Sequence, residues 1–217
     1  MSRIVNETKK CCKCNAKCNV VVLESTNTFG SPDLDLRPPE MQRSTMDMWL
    51  QECPHCGYIN YDLALDNGIN KDFINSKQYK ASLTDNKDSK YGLACKFYKF
   101  YLEMMELDLI SKAYIALLHT AWCCDDIKEY EIAKDCRNKM TKLFELFSED
   151  DKNNENIIAR HIDVMRRAGK FEDIIKQYSN FCAKTDIIQK VITFQIKLSM
   201  ANDDSCYRIE DCDKKPL

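Results

Sequence analysis

"ECPHCGY", residues 52–58, decides how the front of this chain is read. Cys53 and Cys56 stand two residues apart, with a proline opening the turn between them and Gly57 following it. Zinc takes four soft ligands in a tetrahedron. A C-x-x-C turn presents two thiolates at the right bite, so a second such turn is needed to complete the site. Gly57 can take positive φ at no steric cost, which lets backbone amides turn toward sulfur. Upstream, "CCKCNAKC", residues 11–18, offers Cys11, Cys12, Cys14 and Cys18, of which only Cys11 and Cys14 repeat the two-residue spacing. Asn15 then stands where Gly57 stands, and asparagine is the next most tolerant residue of left-handed backbone. The predicted ligand set is therefore Cys11, Cys14, Cys53 and Cys56, with zinc as the cofactor. Iron suits it less well, because no second cluster motif surrounds the pairs. Cys12 takes the place of Pro54 in the other turn, Cys18 opens the strand "CNVVV" as a small inward hydrophobe, and His55 faces solvent. Each of these three remains open as a substitute ligand.

The 38 residues between the pairs exceed the usual interval of a zinc ribbon, and the insertion "GSPDLDLRPP", residues 30–39, accounts for the excess. In it Asp33, Asp35 and Arg37 alternate about Leu34 and Leu36, forming either a partner-binding loop or a tie between the loop and the ribbon. Three segments around the insertion, "NVVVLEST" (19–26), "DMWLQE" (47–52) and "YINYDLA" (58–64), read as short strands.

Ten residues are Gly or Pro, and eight of them precede residue 93, so a turn-rich front and a helical remainder are expected. Residues 1–68 make a zinc-ribbon-like module with an irregular insertion, 69–89 a polar connector with one short helix, 90–201 a helical array and 202–217 a polar, mobile tail. The fold class is mainly α: a small β zinc-ribbon module followed by an antiparallel helical-hairpin array of about six helices.

In that array Ala94, Phe97, Tyr98, Tyr101 and Met105 share one face, with Lys96, Lys99, Glu103 and Glu106 opposite. The next stripe runs Ile110, Ala113, Tyr114, Leu117, Leu118, Ala121, and a second apolar face of Ile115, Ala116 and Cys123 predicts a helix sandwiched between neighbours. Asp126 followed by Glu129 resembles a capping box and starts a third helix, with Ala133, Cys136, Met140 and Leu143 inward. Later helices carry Ile158, His161, Ile162 and Met165; then Phe171, Ile174, Ile175 and Tyr178; then Ile187, Val191, Phe194 and Leu198. Gly169 fits a helix C-terminus.

The junctions "DDIKEYEIA" and "AGKFEDIIKQY" look alike, with Tyr130 and Phe171 in corresponding places 41 residues apart. The stretch "HIDVMRRAGKFEDIIKQY", residues 161–178, is similar to the turn between the two helices of a tetratricopeptide unit, although that family's period is about 34 residues. The order of two cysteine turns, polar connector and helical pairs, together with "AYIALLHTAWCCDD" (113–126), resembles a group of uncharacterised bacterial proteins that carry an amino-terminal zinc ribbon and tetratricopeptide-like helices. The resemblance implies that architecture and a bacterial, cytoplasmic setting. It implies no activity.

Thirteen cysteines suggest disulfides, but their number is odd and "MSRIVNETKK" lacks the apolar centre of a secretory signal, so a reducing compartment is expected. No apolar run reaches the length of about eighteen residues that spans a bilayer. Formal charge is −2, from 32 basic and 34 acidic residues, and residues 1–62 carry seven basic against eight acidic groups. That balance argues against nucleic acid as a partner, leaving Lys9, Lys10, Lys13 and Lys17 as the one locally basic face that favours it. No acid, base and nucleophile converge, which argues against an enzyme; the enzymatic alternative places a site at the Asp33, Asp35, Arg37 loop. The expected role is a non-enzymatic interaction module with a protein or peptide partner.

Overall fold

The computed structural model describes residues 2–80, 83 and 89–213. Parts of the expected connector (81–82 and 84–88) and the end of the expected tail (214–217) lie outside the described residues. The chain is mainly helical, with a small antiparallel sheet near its start. No helix among the described residues is long and apolar enough to cross a membrane. Two compact units form, Met1–Thr28 with Glu40–Tyr130, and Phe29–Pro39 with Glu131–Leu217.

In the first unit β1 (Arg3–Lys10) pairs antiparallel with β2 (Lys17–Ser25), in a register that sets Lys10 opposite Lys17 and Ile4 opposite Leu23. The first cysteine turn is the loop of this hairpin. β1 was not expected, since most of its residues are polar and exposed. A two-stranded ribbon of this kind is marginal by itself, so its root must be held by something else. "DMWLQE" forms a strand only at β3 (Gln51–Glu52), which pairs with β4 (Ile59–Asn60). The preceding Arg43–Met48 winds into a 3-10 turn, closed by Trp49, whose N–H donates to Met46 and whose Nε1 donates to Thr45 Oγ1 at 3.1 Å.

The connector holds two short helices, α1 (Lys71–Asn75) and α2 (Lys77–Lys80), where one was expected. α3 (Gly92–Glu106) and α4 (Ile110–Asp126) then form a hairpin. Tyr98, Tyr101 and Leu102 of α3 pack on a cluster containing Cys11, Cys18, Cys53, Tyr58 and Tyr79, so this helix roofs the cysteine turns. Glu103, expected on the polar face, is fully buried. α4 buries residues on both sides, as its two apolar faces predict.

The second unit contains α5 (Tyr130–Phe144), α6 (Glu149–Lys152), α7 (Glu155–Arg167), α8 (Phe171–Tyr178) and α9 (Asp186–Met200). Ser148 and Asn154 cap α6 and α7 through their side-chain oxygens. Ile187, expected inward, is exposed in the first turn of α9.

The expected capping box at Asp126 and Glu129 does not form. Asp126 ends α4, Lys128 takes φ 63°, and Glu129 N–H donates to Cys124 O at 2.8 Å. That is a Schellman stop, in which a left-handed residue turns the chain back onto the last carbonyls of the helix. The same bond closes α3 at Asp108, α7 at Gly169 and α9 at Asn202. The likeness of the junctions before Tyr130 and Phe171 is thus a likeness of helix stops.

The unit boundaries depart from the expected divisions 1–68, 69–89, 90–201 and 202–217. Residues 29–39 belong with the helices of the second unit, and so does the tail as far as residue 213. Leu34 is buried among Ile158, Ile162, Val191 and Leu198. Its N–H donates to Tyr207 O, Ile209 N–H donates to Pro32 O, and Tyr207 packs edge-on against Phe194. The insertion and the tail pair as a short antiparallel bridge at Asp33 and Arg208. Their polar composition concealed this because the anchor in each segment is one or two apolar residues.

Candidate metal centre

The two cysteine turns match bond for bond. Asn15 N–H donates to Cys11 O and Gly57 N–H donates to Cys53 O, both at 2.9 Å. Cys11 N–H donates to Ala16 O, and Cys53 N–H to Tyr58 O. Asn15 and Gly57 both sit in left-handed backbone, at φ 64° and 77°. Glycine does this without strain and asparagine at a small cost, which is why these two residues follow the pairs.

These turns bring Cys11, Cys14, Cys53 and Cys56 together, with all four sulfurs within 4.8 Å of one another. Cys11 Sγ lies 3.8 Å from Cys56 Sγ, and Cys14 Sγ lies 3.6 Å from Cys53 Sγ. A tetrahedron with metal–sulfur bonds of about 2.3 Å has edges of about 3.8 Å, so the donor set fits a metal ion. Cys11 and Cys53 are buried while Cys14 and Cys56 are half-buried, so the site sits at the edge of the core. Burial pushes the Cys11 and Cys56 thiols up, whereas Cys14, despite its own burial, is held below the ordinary range by hydrogen bonds from the Ala16 backbone and the neighbouring sulfurs. Uneven thiols of this kind become four thiolates when a cation supplies the compensating charge.

Of the other candidates, Cys12 and His55 sit apart from the four and Cys18 touches one of them. Cys12 turns its S–H to Leu65 O at 3.4 Å, and His55 is exposed. Cys18 is buried on β2 with Sγ 3.7 Å from Cys53 Sγ.

A brace missed by the sequence reading holds the second turn to the helices. Glu103 Oε1 accepts from Ile59 N–H at 3.1 Å, and its Oε2 accepts from Asn67 Nδ2 at 2.8 Å. Tyr79 Oη lies 2.6 Å from Glu103 Oε1 and 2.7 Å from Gly57 O. The Tyr79 hydroxyl donates toward both oxygens and so ties Gly57 of the second turn to Glu103 of α3. Burial pushes Glu103 up to about 7, against the pull of its hydrogen bonds and of Lys13. Tyr79 and Tyr58 are likewise raised by burial, and so remain neutral donors. Apolar neighbours Phe100, Leu102 and Met104 on every side of Glu103 were the available signal.

Because the folded value lies above the unfolded one, the protonated form favours folding. The contribution of Glu103 is complete below about pH 4.5 and is lost as pH rises through about 7. With metal held saturating, loss of the four thiol protons to the ion makes the protein more stable as pH rises, so the Glu103 contribution is read as a difference: from pH 5.5 to 8, urea unfolding is expected to show Glu103→Gln gaining about 2 kcal/mol on the wild type. Parallel pH profiles for the two proteins would remove Glu103 from the account.

Lys13, also buried, donates to Asp66 and to Ile69 O and lies over the Tyr58 ring at 5.5 Å. Lys9 pairs with Asp62 at 2.7 Å.

The insertion residues occupy a different setting. Asp33, Asp35 and Arg37 are all buried in the second unit, where Arg37 N–H donates to Asp35 Oδ1 and Arg167 meets Asp35 at 3.5 Å. His161, on the apolar stripe of α7, stacks on Phe144 with ring centres 3.8 Å apart, and burial lowers it to about 3. His119 lies among Trp49, Phe97 and Trp122 with ring centres about 5 Å away. Cys123 and Cys124 are buried in α4.

Compared with family models, with curated proteins and with solved structures, the chain matches none of them.

Proposed function

We propose that this chain is a structural zinc protein that works through a protein or peptide partner and not by catalysis. The observation that carries the reading is the sulfur tetrahedron formed by two matching turns, with edges of 3.6 and 3.8 Å. An all-thiolate set closes the coordination sphere, so such a site contributes folding energy and leaves no position for a substrate. Sulfur-only sites select zinc, copper(I) or iron–sulfur clusters, and a single tetrahedron between two C-x-x-C turns suits zinc.

The partner half rests on the helices and on the resemblance to bacterial ribbon proteins with tetratricopeptide-like hairpins, which offer surfaces to peptides. The burial of Asp33, Asp35 and Arg37 supports the anchoring role for the insertion over a site built on it. Of the four lysines that favoured nucleic acid, Lys9 and Lys13 are engaged by Asp62 and Asp66, which weakens the phosphate attraction that such binding requires. A cytoplasmic setting, where thiols stay reduced, completes the reading.

Zinc-loaded protein used as bait in a proteome-wide pull-down is expected to recover one discrete protein, and the chelated protein to lose it. Recovery of nucleic acid, or identical recovery by both forms, would count against the proposal.

A further inference from the structure

A fifth sulfur touches the proposed centre. Cys18 Sγ stands 3.7 Å from Cys53 Sγ, as close as the sulfurs of the tetrahedron stand to one another, and both residues are nearly inaccessible to solvent. Among the described residues, Cys53 is the one member of the four whose sulfur meets a sulfur outside the set, its other close neighbour being Cys14 at 3.6 Å. Cys18 is placed by β2, two residues past the first turn, where its backbone is fixed opposite Lys9 in the ladder. It is therefore presented by the hairpin and not by a mobile segment.

A metal-bound Cys53 has given up its proton, so the only proton available between the two sulfurs is the S–H of Cys18. The other acceptor within reach is Ala16 O, at 3.7 Å, and that oxygen already accepts Cys11 N–H at 2.9 Å. A thiolate in a buried setting gains more from a donor than a carbonyl already served, because the charge is the costlier group to leave without partners. Nor does Cys18 suit direct ligation beside the four: five thiolates about one dication would carry a net charge of −3.

We infer that Cys18 is a positioning residue of the metal centre, donating its S–H to the Cys53 thiolate and so strengthening the hold of the site on its ion. This deepens the proposed zinc reading and rests on it. Donors in this position fix ligand orientation and disperse charge, and their loss costs about 10–100-fold in metal affinity.

The test uses the full chain with three variants, Cys18→Ala, Cys18→Ser and, as a control, Cys12→Ser, whose thiol faces Leu65 O instead of sulfur. Zinc affinity is measured by competition with a chromogenic chelator, and the sulfur-to-metal charge-transfer band by loading with Co²⁺. Cys18→Ala is expected to bind zinc about 10–100-fold more weakly and to move the band to lower energy, since an unbonded thiolate gives up its electron more easily. Cys18→Ser, which restores a donor, should return both quantities most of the way, and Cys12→Ser should leave both unchanged. Packing alone would weaken both Cys18 variants without moving the band, and that result would overturn the inference. Wild-type affinity in Cys18→Ala would overturn it too, while leaving the zinc reading intact. A wild-type chain that takes up neither ion would overturn both.

Discussion

Cys53→Ser is expected to strip the metal and unfold the β1–β2 hairpin together with both cysteine turns. Structural zinc contributes an apparent ~10–16 kcal/mol in small modules, as much as the whole stability of an ordinary domain. The hairpin has little else to hold it, since β1 is largely exposed, and the second turn, between strands of two residues each, keeps only its packing beneath α3 and the Glu103 brace. Cys53 is also the sulfur with two close sulfur neighbours, so its loss disturbs the site at its most connected point. Zinc content by plasma emission and near-ultraviolet circular dichroism report the two halves of the effect. Full zinc occupancy in Cys53→Ser, with the native spectrum, would show that the ion is not held by this set.

Arg166→Ala is expected to destabilise the second unit by about 3–5 kcal/mol. The guanidinium is fully buried, meets Asp163 Oδ1 at 2.6 Å, and donates to the carbonyls of Asp203 and Ser205, both at 2.8 Å. It lies over the ring of Tyr207 as well. Removing it leaves two carbonyls without that donor and a buried carboxylate without its ion-pair partner, with only the more distant Arg167 charge acting on it, and breaking a buried pair costs far more than the pair contributes. Asp163 is already pushed up by burial even with the arginine in place. Adding Asp163→Leu should therefore recover part of the loss. Urea unfolding of the single and double variants measures it, and a change under about 1 kcal/mol in the single variant would mean that Arg166 does not hold the tail.

What the sequence showed and what it hid follow from how local each feature is. The grouping of the four cysteines was legible because a tetrahedral site would impose a spacing and a following left-handed residue within five positions, and both turns have them, Asn15 included. The sandwiched character of α4 was legible because its apolar residues recur on two faces. The stop after α7 was legible because it uses Gly169. The equivalent stops at Asp108, Lys128 and Asn202 were not, since side chains other than glycine pay for left-handed backbone through bonds that only the folded helix end provides.

Other features depend on distant partners. Leu34 and Asp33 find theirs near Tyr207 and Cys206, at the far end of the chain, so residues 30–39 read as an ornament of the ribbon. Glu103 looked like a solvated helix residue because pattern reading places charge outside. Its acceptors are needed by Ile59, Asn67 and Tyr79, which approach only once the second turn and α2 have docked. β1 carries little apolar signal, since it is exposed and gains its order from pairing with β2.

The central claim is that one zinc ion sits between two matched turns. X-ray absorption at the zinc edge, on protein purified with zinc present and shown by plasma emission to hold about one ion per chain, tests it most directly. Four sulfur neighbours at about 2.3 Å are expected. A shell containing nitrogen or oxygen, or a folded protein that carries no zinc, would contradict it.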